Sequence, residues 1–434
     1  MIWYGFIMTN LEQPTLTRRF FQTIPFYSFN FLTYTLLSIF FARWMGIKHY
    51  GAFVFAFHTI RITVLVASMG ISQAAMKYLP TYLKHTESRL FRGFFRTGLF
   101  VNISLGLLFG YLAFVAVLPV VEGSHSQTTL QHAWWICPLL GLNIYFSSVL
   151  RSTGHAVMAA TTQGLLRDIL ALFFAYLLLQ NDIALTSEMG ISIFASAIAL
   201  CIFSQLIIQA VTIPKKIGQS TPTYNLKDWA STSFPMFLSS LSENVITIGG
   251  IILLRLIVDE SSVAFYHAAW ILTAVMIIPA KAVLSVVSPS ISRTYSDDRI
   301  NYEKSIKTSV QLLLFVTLPV CLILIAGGGF FLGWFGETYT KAYGLLVVLV
   351  FARAAHVTAL YLGRVLSLSG SEKYVAKTLY ILTAVIILPM TGLTYLLGAY
   401  GVPISYLVSA VFSSSLFYLK LRGRGRGDGD VLNF

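Results

Sequence analysis

The sequence predicts an all-α polytopic membrane protein of about twelve transmembrane helices in two six-helix bundles, and three observations carry that expectation. Twelve apolar runs fill almost the whole chain, each roughly twenty residues long and so able to cross a hydrocarbon core as a helix. Hydrophobic residues make up 56% of the chain and charged residues 11%, which leaves no material for a large soluble domain. The Lys and Arg residues between the runs alternate from side to side, as the positive-inside rule demands of a multi-pass protein.

The expected spans are 20–41, 50–70, 94–118, 133–150, 157–179, 190–212, 234–258, 263–287, 308–326, 343–366, 375–397 and 402–420. Only a helix satisfies its own backbone hydrogen bonds in lipid, so each run reads as one. The first run follows Arg18 and Arg19, is too long for a signal core and lacks a small-residue cleavage site, which predicts a retained anchor. The chain then divides into an N-terminal tail (1–19), a six-helix bundle (20–212), a linker (213–233), a second six-helix bundle (234–420) and a Gly-rich, disordered tail (421–434).

Placing the first tail in the cytoplasm puts 22 of the 30 Lys and Arg on the cytoplasmic side and four outside, namely Arg43, Lys48, Arg255 and Lys341. Both termini are therefore expected in the cytoplasm. The net charge of +13 is accounted for by topology and does not call for a nucleic-acid partner. Cys137, Cys201 and Cys321 lie in or beside apolar runs without metal-ligand spacing, and no cofactor or metal is expected.

The two halves resemble each other at an offset of about 210 residues, the first signature of a repeat. Pro25 and Pro235 open the first and seventh runs, and Arg43 and Arg255 lie near their far ends. Gly51-Ala-Phe53 aligns with Ala264-Phe-Tyr266, Pro80 with Pro289, and Val149-Leu-Arg-Ser-Thr-Gly154 with Val365-Leu-Ser-Leu-Ser-Gly370. Six helices per half is an even number, so both halves start on the same side and the repeat is parallel. Two equivalent bundles facing each other suit alternating access.

Gly46-Ile-Lys-His-Tyr-Gly-Ala-Phe53 and Gly70-Ile-Ser-Gln-Ala-Ala75 resemble a first-repeat pattern of Wzx-type polysaccharide flippases. These belong to the multidrug/oligosaccharidyl-lipid/polysaccharide (MOP) exporter superfamily. Ala264-Phe-Tyr-His-Ala-Ala269 with Pro289-Ser-Ile-Ser292 is similar to the second-repeat pattern, and Phe335-Gly-Glu-Thr-Tyr339 and Leu368-Ser-Gly370 to a further stretch. The resemblance implies two bundles around a central cavity in a bacterial cytoplasmic (inner) membrane. It also implies movement of a polyprenyl-diphosphate-linked oligosaccharide, such as an O-antigen unit of lipopolysaccharide, from inner to outer leaflet. A polysaccharide polymerase and a chain-length regulator are the protein partners it suggests.

Charges inside the runs are the candidate functional groups, because a cation at a helix centre costs roughly 2.5–3.5 kcal/mol on insertion scales and is rarely left facing lipid. Arg61, Arg167 and Arg353 sit near the middle of their runs, Lys281 follows Pro279, and Arg255 lies near the outer mouth. As substrate-binding residues they would attract a diphosphate, which guanidinium groups hold by paired hydrogen bonds. As structural residues they would form internal ion pairs or snorkel to the interface. Asp168 adjoins Arg167, but neighbouring helix positions point apart, so pairing with another helix is expected. Glu243, Asp168, His58 and His356 are the candidates for ion coupling, with His267 as a further titratable group. Asn30, Asn143, Gln205 and Gln209 could line a sugar path or simply bond helix to helix.

Two rivals differ in class. A cation-coupled multidrug antiporter would share the architecture, but four intramembrane cations against two acids, Asp168 and Glu243, favour an anionic cargo. A membrane-embedded polymerase or glycosyltransferase would need a sizeable catalytic outer loop. The longest here, 119–132, offers only Glu122, His125 and His132. No phosphate-cradling loop or catalytic constellation occurs, so a non-enzymatic carrier is expected.

Overall fold

The computed structural model describes residues 14–213, 217, 220–278, 280, 281, 283, 284 and 299–425. Pro289, the end of the 263–287 run and the tail beyond 425 lie outside them, as do the side chains of residues before Phe29. The apolar runs fall in helices where they are described, apart from a turn at 275–276 inside the 263–287 run and non-helical residues at a few run ends, and the described residues contain no strand. Among the described residues eight helices are long and apolar enough to cross a membrane; two of these, Phe29–Ser68 with 40 residues and Glu372–Arg422 with 51, each hold two expected spans. The chain is a multi-pass membrane protein, and large apolar side chains such as Phe203, Phe315, Leu388 and Leu396 face outward, as lipid contact requires.

The first helix, α1 (Pro14–Ser68), contains the first two runs and is broken once, at Gly46, with φ 74° and ψ 169°. A left-handed φ is cheap only for glycine, so a single residue replaces the expected 42–49 connection. An unexpected amphipathic helix, α2 (Ile71–Lys84), follows Gly70 in the segment read as a connection. The remaining spans are α3 (Ser88–Val120), α4 (His125–Ser152), α5 (Ala156–Gln180), α6 (Ser187–Thr212) and α7 (Leu226–Ile257). They continue as α8 (Glu260–Ala274), α9 (Arg299–Ala326), α10 (Tyr343–Leu368), α11 (Glu372–Leu397) and α12 (Gly401–Gly425). Starts are capped where the sequence allows: the Thr186 hydroxyl accepts from the Met189 amide ahead of α6 and the Asp259 carboxylate from the Ser262 amide at 2.7 Å ahead of α8, filling orphan donors of a first turn. Single π-helical turns interrupt α3 at Val101–Leu105 and α5 at Thr161–Leu165.

Helices α1–α6 pack among themselves, as do α7–α12, where α10 lies against α12, α8 and α9. The halves meet where α1 packs on α7 and α8, and α2 on α7. One continuous apolar core crosses that seam, running from Leu37, Phe41 and Phe53 to Tyr266, Leu346 and Tyr406. Two glycines permit the approach. A Cβ on Gly51 would lie 1.8 Å from the Glu260 carbonyl oxygen, and one on Gly70 would lie 2.2 Å from that of Ser233. Below, the end of the molecule carrying Gly70 and most of the Lys and Arg is the basic face; the end carrying Gly46 is the opposite face.

Candidate substrate cleft and its closures

Arg61 stands midway along the second arm of α1, yet it is exposed and makes no ion pair among the described residues. It lies within electrostatic reach of Tyr34 on its own helix, Arg167 on α5 and Glu243 on α7. Accessible, and with electrostatic neighbours on both halves, Arg61 marks the candidate cleft between them. Glu243 is exposed as well, and is close enough to act electrostatically on Tyr406 of α12. Neither of the ion pairs among the described residues uses it. Lys281 is exposed at the far end of the α8 run.

The other cations are engaged. Arg167 donates to Asp168 Oδ1 through Nε at 2.8 Å and Nη2 at 2.6 Å. This corrects the expectation of an interhelical partner: the π-helical turn just before Leu166 and a long guanidinium arm let neighbours meet. The same guanidinium lies 5.3 Å from the centre of the Phe194 ring. Arg353 is only 2% exposed. Its guanidinium carbon sits 3.8 Å above the Trp270 ring, one Nη donates to the Tyr406 hydroxyl at 3.3 Å, and Nε and the other Nη have no hydrogen-bond partner among the described residues. His356 lies tilted against Tyr406 with ring centres 5.4 Å apart. In this conformation Arg353 is caged inside the second half, shut off from the cleft.

The polar residues divide in the same way. Asn143 accepts from Gln205 Nε2 at 2.9 Å and Gln209 donates to the Phe146 carbonyl at 3.2 Å, so these three tie α4 to α6. Asn30 packs against Gly164, where a Cβ would come within 2.6 Å of its Oδ1.

Sequence reasoning missed the contacts that join the halves, because their partners are far apart in the chain. At the opposite face Arg255 donates from Nε to Ser126 Oγ at 2.7 Å and from Nη2 to Ser124 Oγ at 2.6 Å. Glu260 accepts from the Ser126 amide at 3.1 Å and hydroxyl at 2.9 Å, and lies 3.4 Å from Arg255. Arg255 therefore serves a closure between the α3–α4 connection and the α7–α8 connection. Beside it, His49 bonds Ser187 Oγ at 3.1 Å and its ring lies tilted against that of His125, centres 4.2 Å apart. Deeper in the seam His267 bonds the Tyr50 hydroxyl at 2.9 Å and the Tyr34 hydroxyl at 3.4 Å, and His58 lies 5.3 Å from it, ring to ring. At the basic face Gln73 donates to Ser240 Oγ at 3.1 Å and the Tyr78 hydroxyl bonds Thr232 at 2.8 Å. An open groove of about 410 Å³ lies there, lined by Gln73, Met76, Lys77, Met236, Ser239 and Ser240.

Comparison with known proteins gives the family and the fold. The profile of the polysaccharide biosynthesis protein family matches residues 17–295. No curated protein sequence matches the chain. Among solved structures, an inward-facing multidrug resistance MATE family transporter of the MOP superfamily superposes with a TM-score of 0.71 at 14% identity, covering 93% of this chain and 96% of that one. The lipid II flippase MurJ in an inward closed conformation gives 0.70 at 15% identity, covering 93% and 87%. A MOP superfamily transporter from Pyrococcus furiosus gives 0.59 at 14% identity, covering 95% of each chain. The chain belongs to the polysaccharide biosynthesis protein family and is built on the two-bundle fold of the MOP-superfamily transporters.

Proposed function

We propose that this protein flips a polyprenyl-diphosphate-linked oligosaccharide from the inner to the outer leaflet of a bacterial cytoplasmic membrane, with both termini and the basic face in the cytoplasm. The observation that carries the reading is Arg61, a permanently charged, accessible cation midway along an apolar run, in no ion pair among the described residues. A lone guanidinium in such a place is held at a cost unless an anion visits it. The diphosphate would enter at the basic face and be drawn to Arg61, while the prenyl tail stays in lipid and the sugars occupy the cleft. Lys281, Arg353, Arg167 and Arg255 are supporting cations, of which Arg353 would need α8 to move before it could reach cargo. The family match and the MurJ likeness support a lipid-linked substrate; an O-antigen unit, a partner polymerase and a chain-length regulator complete the proposal.

The test is the leaflet distribution of lipid-linked oligosaccharide in cells depleted of the protein and complemented with variants. Depletion should raise the cytoplasmic-leaflet pool and remove surface polymer. Arg61→Ala at normal abundance should cut the flipping rate by about 10–100-fold, the worth of one charge-assisted contact, and Arg61→Lys should retain part of it. Normal output from Arg61→Ala would remove the charge argument. Glu243, an accessible carboxylate in the same cleft, favours a second reading as a cation-coupled multidrug antiporter. Unchanged lipid pools with sensitivity to toxic cations on depletion would select it.

A further inference from the structure

His58 is 2% exposed, and neither of its ring nitrogens has a hydrogen-bond partner among the described residues. An unpartnered imidazole buried in an apolar seam is costly, and it borders a cavity of about 10 Å³, space for one water. The cavity is lined by groups from both halves: Tyr34, Ser38, Tyr50 and His58 from α1, and His267 from α8. His267 is 3% exposed and bonded through both nitrogens to tyrosine hydroxyls of the other half. A neutral imidazole has one N–H and one lone pair, so one tyrosine donates to it and the other accepts from it. That arrangement holds only while the ring is neutral.

We infer that His58 and His267 form a proton-binding site in the seam between the halves, and that its occupancy opens the seam at the opposite, outer face. The site is too small for any cargo larger than water, and a hard alkali cation would want a shell of oxygen ligands where this cluster presents two imidazoles. The surrounding charges set the direction. On α1 Arg61 is within electrostatic reach of His58, and α8 supplies His267. Helix α6 presents Phe194, the Arg167–Asp168 pair of α5 carries no net charge, and Glu243 of α7 acts on Arg61. Tyr339, from the turn before α10, meets Tyr50 edge to face. Among the described residues no carboxylate hydrogen-bonds or ion-pairs with either imidazole. A proton added to the closed seam is therefore a second cation beside Arg61 in a dry pocket. Opening the seam lets water solvate it, so the open state binds the proton more tightly, and by linkage the proton favours the open state. The inference rests on the rocking motion of the function proposed above and is independent of its cargo.

The experiment uses the full-length protein in lipid nanodiscs without substrate. The three native cysteines are replaced by alanine and spin labels placed at Lys48→Cys and Lys341→Cys, both exposed and one on each half. Lowering the pH from about 8 to about 5.5, across the imidazole range, should raise the ratio of long to short label distances by about 5–150-fold. His58→Gln with His267→Gln, which keeps hydrogen-bonding capacity, should abolish the response; His58→Gln alone should remove most of it. A pH-invariant distribution in the parent chain overturns the proposal whether or not the variants fold. So does a full response in either variant. Failure of the leaflet assay with an intact pH response would instead fault the cargo.

Discussion

Arg353 shows how little a single residue's position in the sequence says about its working surroundings. A desolvated cation–π contact contributes up to about 2 kcal/mol, and the contact with Trp270 at 3.8 Å is close. One 3.3 Å bond to Tyr406 adds little, since hydrogen bonds between transmembrane helices average about 0.6 kcal/mol. Against roughly 2.5–3.5 kcal/mol for placing the cation there, with two of its nitrogens unpartnered, Arg353 is held near break-even or at a small cost. Arg353→Met should therefore leave thermal stability in detergent unchanged or raise it by roughly 1 kcal/mol, while lowering flipping. A marked loss of stability would show that the aromatic cage holds the second half together. Arg167 behaves differently, because Asp168 neutralises it on the spot.

At the scale of helices, the approach of α1 to α8 depends on Gly51. A Cβ there would sit 1.8 Å from a backbone oxygen, and backbone cannot rotate aside as a side chain can. Gly51→Ala should drive the halves apart at the opposite face and shift the Lys48/Lys341 label distances outward at neutral pH. Unchanged distances would mean the helices slide past one another instead. The spans themselves were legible in the sequence because hydropathy over about twenty residues is a local property. The one-residue break at Gly46, the helix Ile71–Lys84 and the π-helical turns were not, since each depends on how a neighbouring helix packs. The same holds for the site. Hydropathy exposed Arg61 and Arg353 as anomalies, but nothing local distinguishes an accessible arginine from a caged one. Nor could sequence separation of about 130 residues reveal that Ser124 and Ser126 meet Arg255.

For the whole molecule, alternating access requires that the contacts closing one face be breakable while the halves stay intact. The opposite-face closure meets that requirement: it is polar, small and made of connection and helix-end residues, while the apolar seam beneath it is continuous. Ser126 belongs to α4 of the first half and Glu260 to α8 of the second, with Ser126 Oγ donating to Glu260 Oε1 at 2.9 Å. Ser126 and Arg255 are buried, and hydrogen bonds between transmembrane helices average about 0.6 kcal/mol each, enough for several to bias the closed state without locking it. Ser126→Cys with Glu260→Cys, bridged by a short thiol-reactive linker, should hold the face shut. Flipping should then stop in proportion to the fraction bridged, and recover when a cleavable linker is cut. Undiminished flipping by fully bridged protein would mean that α4 and α8 never separate during transport. The cargo would then have to leave sideways through the lipid-facing wall, and the two halves would be a static frame.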